Sequence, residues 1–396
     1  MVEVCKWLND AVSPVVFMID DLANVWVDTN GNNKLDLGED WGYWGKSENS
    51  SFQYLKKNFI EKYNDIKITF FVPVGYRVGV IENPSIKTIS MPINCDEESK
   101  AFFRSLHEDS RMEIAYHGTN HGKVGPKAAD FIQEWQTYRN IDEAINKINE
   151  GKEIYKDVIG EYPKGGKYPG YKSNDFSDES IDRSGFQWWC RYWNKGIENG
   201  YFETSGNDSN LITNYDVKYF GKNKVIDIPS NINGGMYNSY LNKGDLSIKN
   251  ILRKILKILL IIKKRKEIDF LLKNRLVIGI EEHISPARDD GKIQTPNIFT
   301  DKKSLYEILN YLQKKEVWYC TCTELADYVR ARDMMKIEIK NENTFIINTE
   351  CYSSQITLRV IKNSSGKIIL PNGEIVKIVN GIATVPILEG IYQIKE

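Results

Sequence analysis

The sequence predicts an α/β chain built on a mostly parallel sheet, followed by a small all-β unit. Three observations predict it. Short apolar runs alternate with helical periodicity over residues 15–321, the pattern of strand–helix repeats. Several of those runs stop at Asp, His or Pro, where a buried strand gives way to a loop. From Met335 onward helical periodicity vanishes, and short alternating segments are separated by NSSG, PNG and NG turns.

Residues 15–19 (VVFMI) form the first apolar run and end at Asp20 and Asp21. Residues 66–72 (IKITFFV) form the second, closed by Pro73, and 112–116 (MEIAY) the third, ending at His117. Ile141, Ala144, Ile145, Ile148, Ile154, Tyr155 and Val158 fall at near-helical spacing, with Asn140 and Glu143 as a capping pair at the start. Later strands are expected at 187–192, 225–229, 276–280 and 317–321. Leu305, Ile308, Leu309 and Leu312 mark a helix before the last of them. The terminal strands read KIEIK, TFIINT, QITLRVIK, KIILP, EIVKIV and ATVPI. Two domains follow: 1–333, the α/β part, and 334–396, a β-sandwich.

A chain of 396 residues buries a full core without a disulfide or metal staple. Its 53 Lys and Arg against 54 Asp and Glu leave a net charge of -1. That excludes a protein whose business is coating nucleic acid. The six cysteines form no CxxC pair and read as buried free thiols rather than a disulfide framework. The first residues lack the basic stretch and apolar run of a secretory signal. The expected location is the cytoplasm or the cytoplasmic face of a membrane, with an extracellular location left open. No run of 18 apolar residues is present to span a bilayer.

Four histidines occur, at 107, 117, 121 and 283. His117 and His121 (HGTNH) follow the third strand, and His283 (GIEEH) follows a later one. With Asp20 and Asp21, strand ends present two carboxylates and three imidazoles where parallel sheets gather their chemistry. Two imidazoles and one carboxylate suit a divalent ion with open positions. A second carboxylate can deprotonate water, and a further histidine can protonate a leaving group. His107, within SLHEDS, reads as a surface residue.

In Asp20–Asp21 after VVFMI, HxxxH, a Pro-Gly loop and a late histidine, residues 11–330 resemble the polysaccharide deacetylases of the NodB-homology type, a carbohydrate esterase family. The resemblance implies a distorted (β/α) barrel and removal of acetyl groups from sugars with a divalent metal, most often Zn2+. It implies Asp20 as general base, Asp21, His117 and His121 as metal ligands, and His283 as general acid. Lys167-Tyr168-Pro169-Gly170-Tyr171 stands where the family has an arginine-containing loop. There Lys167 takes the place of the arginine that orients the base, and the amide near Tyr171 helps hold an oxyanion. A lysine lacks the planar fork of arginine, and the family's later Asp-Trp motif has no clean counterpart here.

Asp28, Asn30, Asn32, Lys34, Asp36 and Glu39 have the spacing of a calcium loop, with Asn33 in place of the usual glycine. The alternative is a polar loop that needs no Ca2+. Trp41 and Trp44, with Pro169 and Gly170, are candidates to line a sugar cleft, while Trp188 reads as core. Residues 249–266 carry eight Lys or Arg and no acid among nine Ile and Leu. They fit either a peripheral membrane helix or a barrel helix with a basic outer face. The expected function is a metal-dependent hydrolase that removes N-acetyl or O-acetyl groups from a glycan or glycan precursor. The alternatives are a carbohydrate-binding protein on the same scaffold and a hydrolase of another amide or ester.

Overall fold

A computed structural model describes residues 2–43, 47–193, 215–235, 248–348, 355–361 and 365–395. The chain forms two compact units: Val15–Lys314 with Tyr319–Cys322, and Met1–Pro14 with Lys315–Trp318 and Thr323–Glu396.

The larger unit is a barrel of seven parallel staves among the described residues. The first strand, Ser13–Asp20, lies between Ile68–Val72 and Ile278–His283. Met112–Tyr116, Gly165–Lys167 and Trp188–Cys190 continue outward from Ile68–Val72. The seventh stave, residues 225–233, closes the ring. Its start, Val225–Asp227, pairs with Trp188–Cys190, and its end, Ile232–Asn233, pairs with Ile278–His283. In between, the Ile228 amide donates to the Trp189 carbonyl at 3.0 Å and the Asn231 amide to the Gly279 carbonyl at 3.1 Å. One stretch of chain thus changes partner halfway along, and the barrel is distorted at that seam. This is the α/β barrel expected.

The strands are buried on both faces, as parallel staves under helices must be; every residue of Ser13–Asp20 and Ile68–Val72 is buried. Gly165–Lys167 carries no strand-forming residue that would announce it. Its glycine is steric: a Cβ on Gly165 would lie 2.0 Å from the Trp188 ring. Trp188 is fully buried core. Helix Ile141–Ile159 starts where the Glu143 amide donates to Asn140 Oδ1 at 2.9 Å. It buries Ala144, Ile148, Tyr155 and Val158 and stops at Gly160. Helices Ile248–Lys273 and Lys302–Leu312 flank the last stave, the second burying Leu305, Ile308, Leu309 and Leu312. Three further elements were not expected from sequence: the pair Asn24–Asp28 with Lys87–Met91, and helix Glu97–Glu108, which is amphipathic and buries Ser99, Phe103 and Leu106.

The smaller unit is an eight-stranded antiparallel sheet folded over one core. Phe345 and Tyr392 stack at 5.1 Å in that core, and Tyr392 holds Leu388 through its hydroxyl in both directions. The division differs from a boundary at 333/334. Val2–Val4 pairs with Gln355–Val360, so the first residues belong with the β unit. Tyr328 and Ala331 of helix Cys322–Met334 join its core too. The last strand, Gly390–Lys395, also escaped the sequence reading. The five described cysteines are free thiols.

Candidate metal centre

The first strand ends at Asp20, and Asp21 turns into the left-handed region at φ 67°. That turn resolves the problem of adjacent carboxylates, which on a continuing strand point to opposite faces. Here both reach the same pocket. His121 adopts φ 74°, so the HGTNH loop curls back and returns its second imidazole to its first; the rings lie 5.1 Å apart. A buried carboxylate fixes this loop. Glu134 accepts the amides of Thr119, Asn120 and His121 at 2.9, 2.9 and 2.6 Å. Gly118 is required there: its φ is 85°, and a Cβ would stand 2.3 Å from Glu134 Oε2. Such left-handed residues at a site are strain held by the surrounding fold.

Asp21, His117 and His121 place one ligand atom each within 4.8 Å of one another, all buried. His117 Nδ1 lies 3.1 Å from the Lys167 carbonyl. The proton therefore sits on Nδ1, and Nε2 keeps a lone pair facing Asp21 Oδ1 at 3.9 Å. Asp21 Oδ1 is buried without a well-directed hydrogen bond, although His121 Nε2 is 3.1 Å away. The other oxygen, Oδ2, faces Arg77 Nη2 at 3.4 Å and Gln294 Nε2 at 3.2 Å. Two imidazoles around an under-satisfied carboxylate oxygen are a donor set that fits a divalent ion. Burial pushes the Asp21 carboxyl up, but His121, Arg77 and His117 outweigh it and hold it well below the usual range. Burial lowers His117 to about 4 against the pull of Asp20. Both groups are poised in their ligating, deprotonated forms.

Asp20 sits beside this triad, its Oδ2 4.0 Å from His117 Nε2. Its Oδ1 accepts from Lys167 Nζ at 2.7 Å. Lys167 is completely buried, stands 4.2 Å over the Phe71 ring and also reaches Glu281 Oε2 at 3.0 Å. Burial lowers the lysine pKa, yet Asp20 and Glu281 together raise it above its ordinary value, so it stays charged. Glu281 moves the other way: burial, eased by Lys167 and aggravated by Asp20, lifts it to about 7. His283 pairs in register with Asp20 across the neighbouring stave. Its Nδ1 lies 2.8 Å from the Pro296 carbonyl.

The structure therefore brings Asp20, Asp21, His117, His121, Lys167 and His283 to one end of the barrel. Tyr171 arrives differently from expectation. Its amide already donates to the Tyr168 carbonyl at 3.0 Å, and its hydroxyl donates to Glu281. It is thus not a ready oxyanion donor in this conformation. Trp41 is 1% exposed and lies beneath the Arg77 guanidinium at 3.6 Å; it backs Arg77 rather than facing a sugar. Pro169 is buried and Gly170 exposed, and Trp44 lies outside the described residues. His107 is half-exposed beside Glu161 at 3.4 Å. Arg77, Gln294, Glu134 and Glu281 were missed from sequence: the first three lie outside any motif with a strand-end histidine, and Glu281, though within GIEEH, gives no sign of facing Lys167.

The loop 28–39 is closed by its own groups. Asp28 accepts the amides of Asn32 and Asn33, and Glu39 those of Thr29 and Asp36. Asn30 and Asn32 donate side-chain amides to Asp36 Oδ2, Lys34 is exposed, and Asn33 takes the positive φ, 56°, that the missing glycine would.

No family model matches the chain, and no curated protein matches it. Among solved structures it is similar to a putative polysaccharide deacetylase from Mycobacterium smegmatis, at 14% identity over 86% of this chain and 97% of that one, TM-score 0.48. An allantoinase shares 14% identity over 81% of this chain and 91% of its own, TM-score 0.46. A probable polysaccharide deacetylase from Pseudomonas aeruginosa PAO1 is similar at 14% identity, 81% and 91% coverage and TM-score 0.47.

Proposed function

We propose that the protein is a metal-dependent deacetylase that cleaves an N-acetyl amide, or an O-acetyl ester, on a glycan or glycan precursor. The observation that supports it is the convergence of the Asp21–His117–His121 donor set with the Asp20–Lys167 pair and His283. Zn2+ best suits two imidazoles and one carboxylate, and when bound it supplies a polarised carbonyl and a more acidic water. The chain's own groups do the rest. Lys167 holds Asp20 aimed through its 2.7 Å hydrogen bond, and Asp20 takes the proton of the attacking water. Phe71 and the buried wall around Lys167 keep that ion pair out of bulk water. The water oxygen bonds to the acetyl carbon. His283 Nε2 delivers a proton to the departing amine, the carbon–nitrogen bond breaks, and acetate and a free amino sugar leave.

Acetate release from a panel of N-acetylated oligosaccharides and lipid-linked sugars tests this, with added zinc, with chelator and with Asp20→Asn. Release that needs metal and disappears in Asp20→Asn while metal stays bound supports the reading. His117→Ala should lose the metal itself. Metal bound at full stoichiometry with no acetate from any substrate would replace it with a carbohydrate-binding protein, or with a hydrolase of a different amide or ester.

We extend the proposal to Ca2+ at the loop of Asp28, Asn30, Asn32, Lys34, Asp36 and Glu39. The oxygens such an ion would take are the carboxylates of Asp28, Asp36 and Glu39, the side-chain oxygens of Asn30 and Asn32 and the Lys34 carbonyl. Thermal melting with and without millimolar calcium decides it; an unchanged melting temperature removes the ion from the account.

A further inference from the structure

Helix Ile248–Lys273 has 26 residues, about 39 Å at ~1.5 Å per residue. The stave after it, Ile278–His283, has six residues, about 20 Å at ~3.3 Å each. Such a helix is roughly twice as long as the strand it covers. Its C-terminal half does the covering. Ile268, Leu271 and Leu272 are buried, Lys264 and Glu267 pair in the interior at 2.8 Å, and Tyr311 donates to Asp269 at 2.6 Å. In a strand–helix–strand unit the helix runs back against the strands. Its N-terminal half therefore overhangs the carboxyl ends of the staves, the end that carries Asp20, His117 and His283.

That overhang is apolar and uncovered. Leu256, Ile258, Leu259 and Ile262 are 42, 58, 56 and 44% exposed. At 100° per residue, Ile258, Ile262 and Leu259 span about 100° of the helix surface, roughly opposite Ile268 and Leu271. Lys263, Arg265 and Lys266 are exposed in the next turn, with Arg265 also 3.5 Å from Glu307. Residues 249–266 contain no acid. No helix among the described residues is long and apolar enough to cross a membrane.

We propose that this face lies on the surface of an anionic lipid bilayer. Exposed aliphatic side chains insert at the acyl boundary while lysine and arginine meet the headgroups, a complementarity that a neutral membrane matches on one count only. The docked helix would hold the catalytic end of the barrel towards the lipid surface. Binding needs no turnover, so it stands or falls apart from the deacetylase reading.

The test is co-sedimentation of the full chain with phosphatidylcholine vesicles, with and without phosphatidylglycerol. The protein should pellet with the anionic vesicles alone and be released by high salt. The double variant Ile258→Glu, Leu259→Glu should bind at least ~10-fold more weakly, as should Lys263→Gln, Lys266→Gln, at about 1.4 kcal/mol per tenfold. All four positions are exposed, so circular dichroism should show both variants folded. No pelleting with anionic vesicles at low salt would overturn the proposal. So would equal binding to neutral vesicles, or a dimer in light scattering that Ile258→Glu, Leu259→Glu dissolves.

Discussion

Replacing Glu281 by glutamine probes the ionic heart of the site. The residue is buried at 6% exposure, accepts from Lys167 at 3.0 Å, and is lifted by burial from an ordinary 4.5 to about 7. A carboxyl that binds its proton more tightly in the folded chain contributes stability that is fully present below about pH 4.5 and is lost as pH rises through about 7. The difference between those two values corresponds to about 3 kcal/mol. A glutamine side chain has no proton to lose, so the variant should lack this component. Urea unfolding of chelator-treated wild type and Glu281→Gln, at about pH 5 and about pH 8, measures it. The stability of the variant relative to wild type should rise by roughly 2 kcal/mol or more between the two, since at about pH 5 the unfolded carboxyl has already lost most of its proton. A gap that stays constant would refute the picture of Asp20 and Glu281 competing for one lysine.

Three other outcomes follow from the same geometry. Arg77→Ala removes the cation that faces Asp21 Oδ2 and should weaken zinc affinity by ~10–100-fold in calorimetry; unchanged affinity would mean Gln294 alone orients the carboxylate. Gly118→Ala forces a Cβ towards Glu134 and a left-handed alanine, costing ~2 kcal/mol or more, which a thermal melt would show as a lowered midpoint. His283→Asn should lower kcat by ~10²–10⁴ with metal binding intact, and metal loss in that variant would put the histidine among the ligands instead.

Much of the barrel was legible because its staves are buried on both faces and so read as unbroken apolar runs; Met112–Tyr116 coincides with the expected residues. The site was legible where a strand end carries a rare residue, as with the Asp20–Asp21 pair, His117 and His283. What escaped has physical reasons. Gly165–Lys167 is a strand by virtue of its neighbours' tryptophans, not its own propensity. Glu281 lies two residues before His283 on the same inward face, where an acid among apolar residues gives no hint of facing Lys167. Arg77 and Gln294 come from loops 56 and 273 residues away from Asp21, distances over which no local pattern extends. Trp41 could be read as aromatic but not as covered, since the residue that covers it is Arg77.

Lys167 performs two tasks with two different ends. Its carbonyl meets His117 Nδ1 and so sets the tautomer of a ligand, while its ammonium meets Asp20. The distance between ligand and base is thus gauged by one residue, along its own backbone and side chain. Shortening the side chain changes only one end of that ruler. On the deacetylase reading proposed above, a shorter side chain at position 167 would weaken proton abstraction and leave the ion's holder untouched, so the same site would bind a glycan without cleaving it.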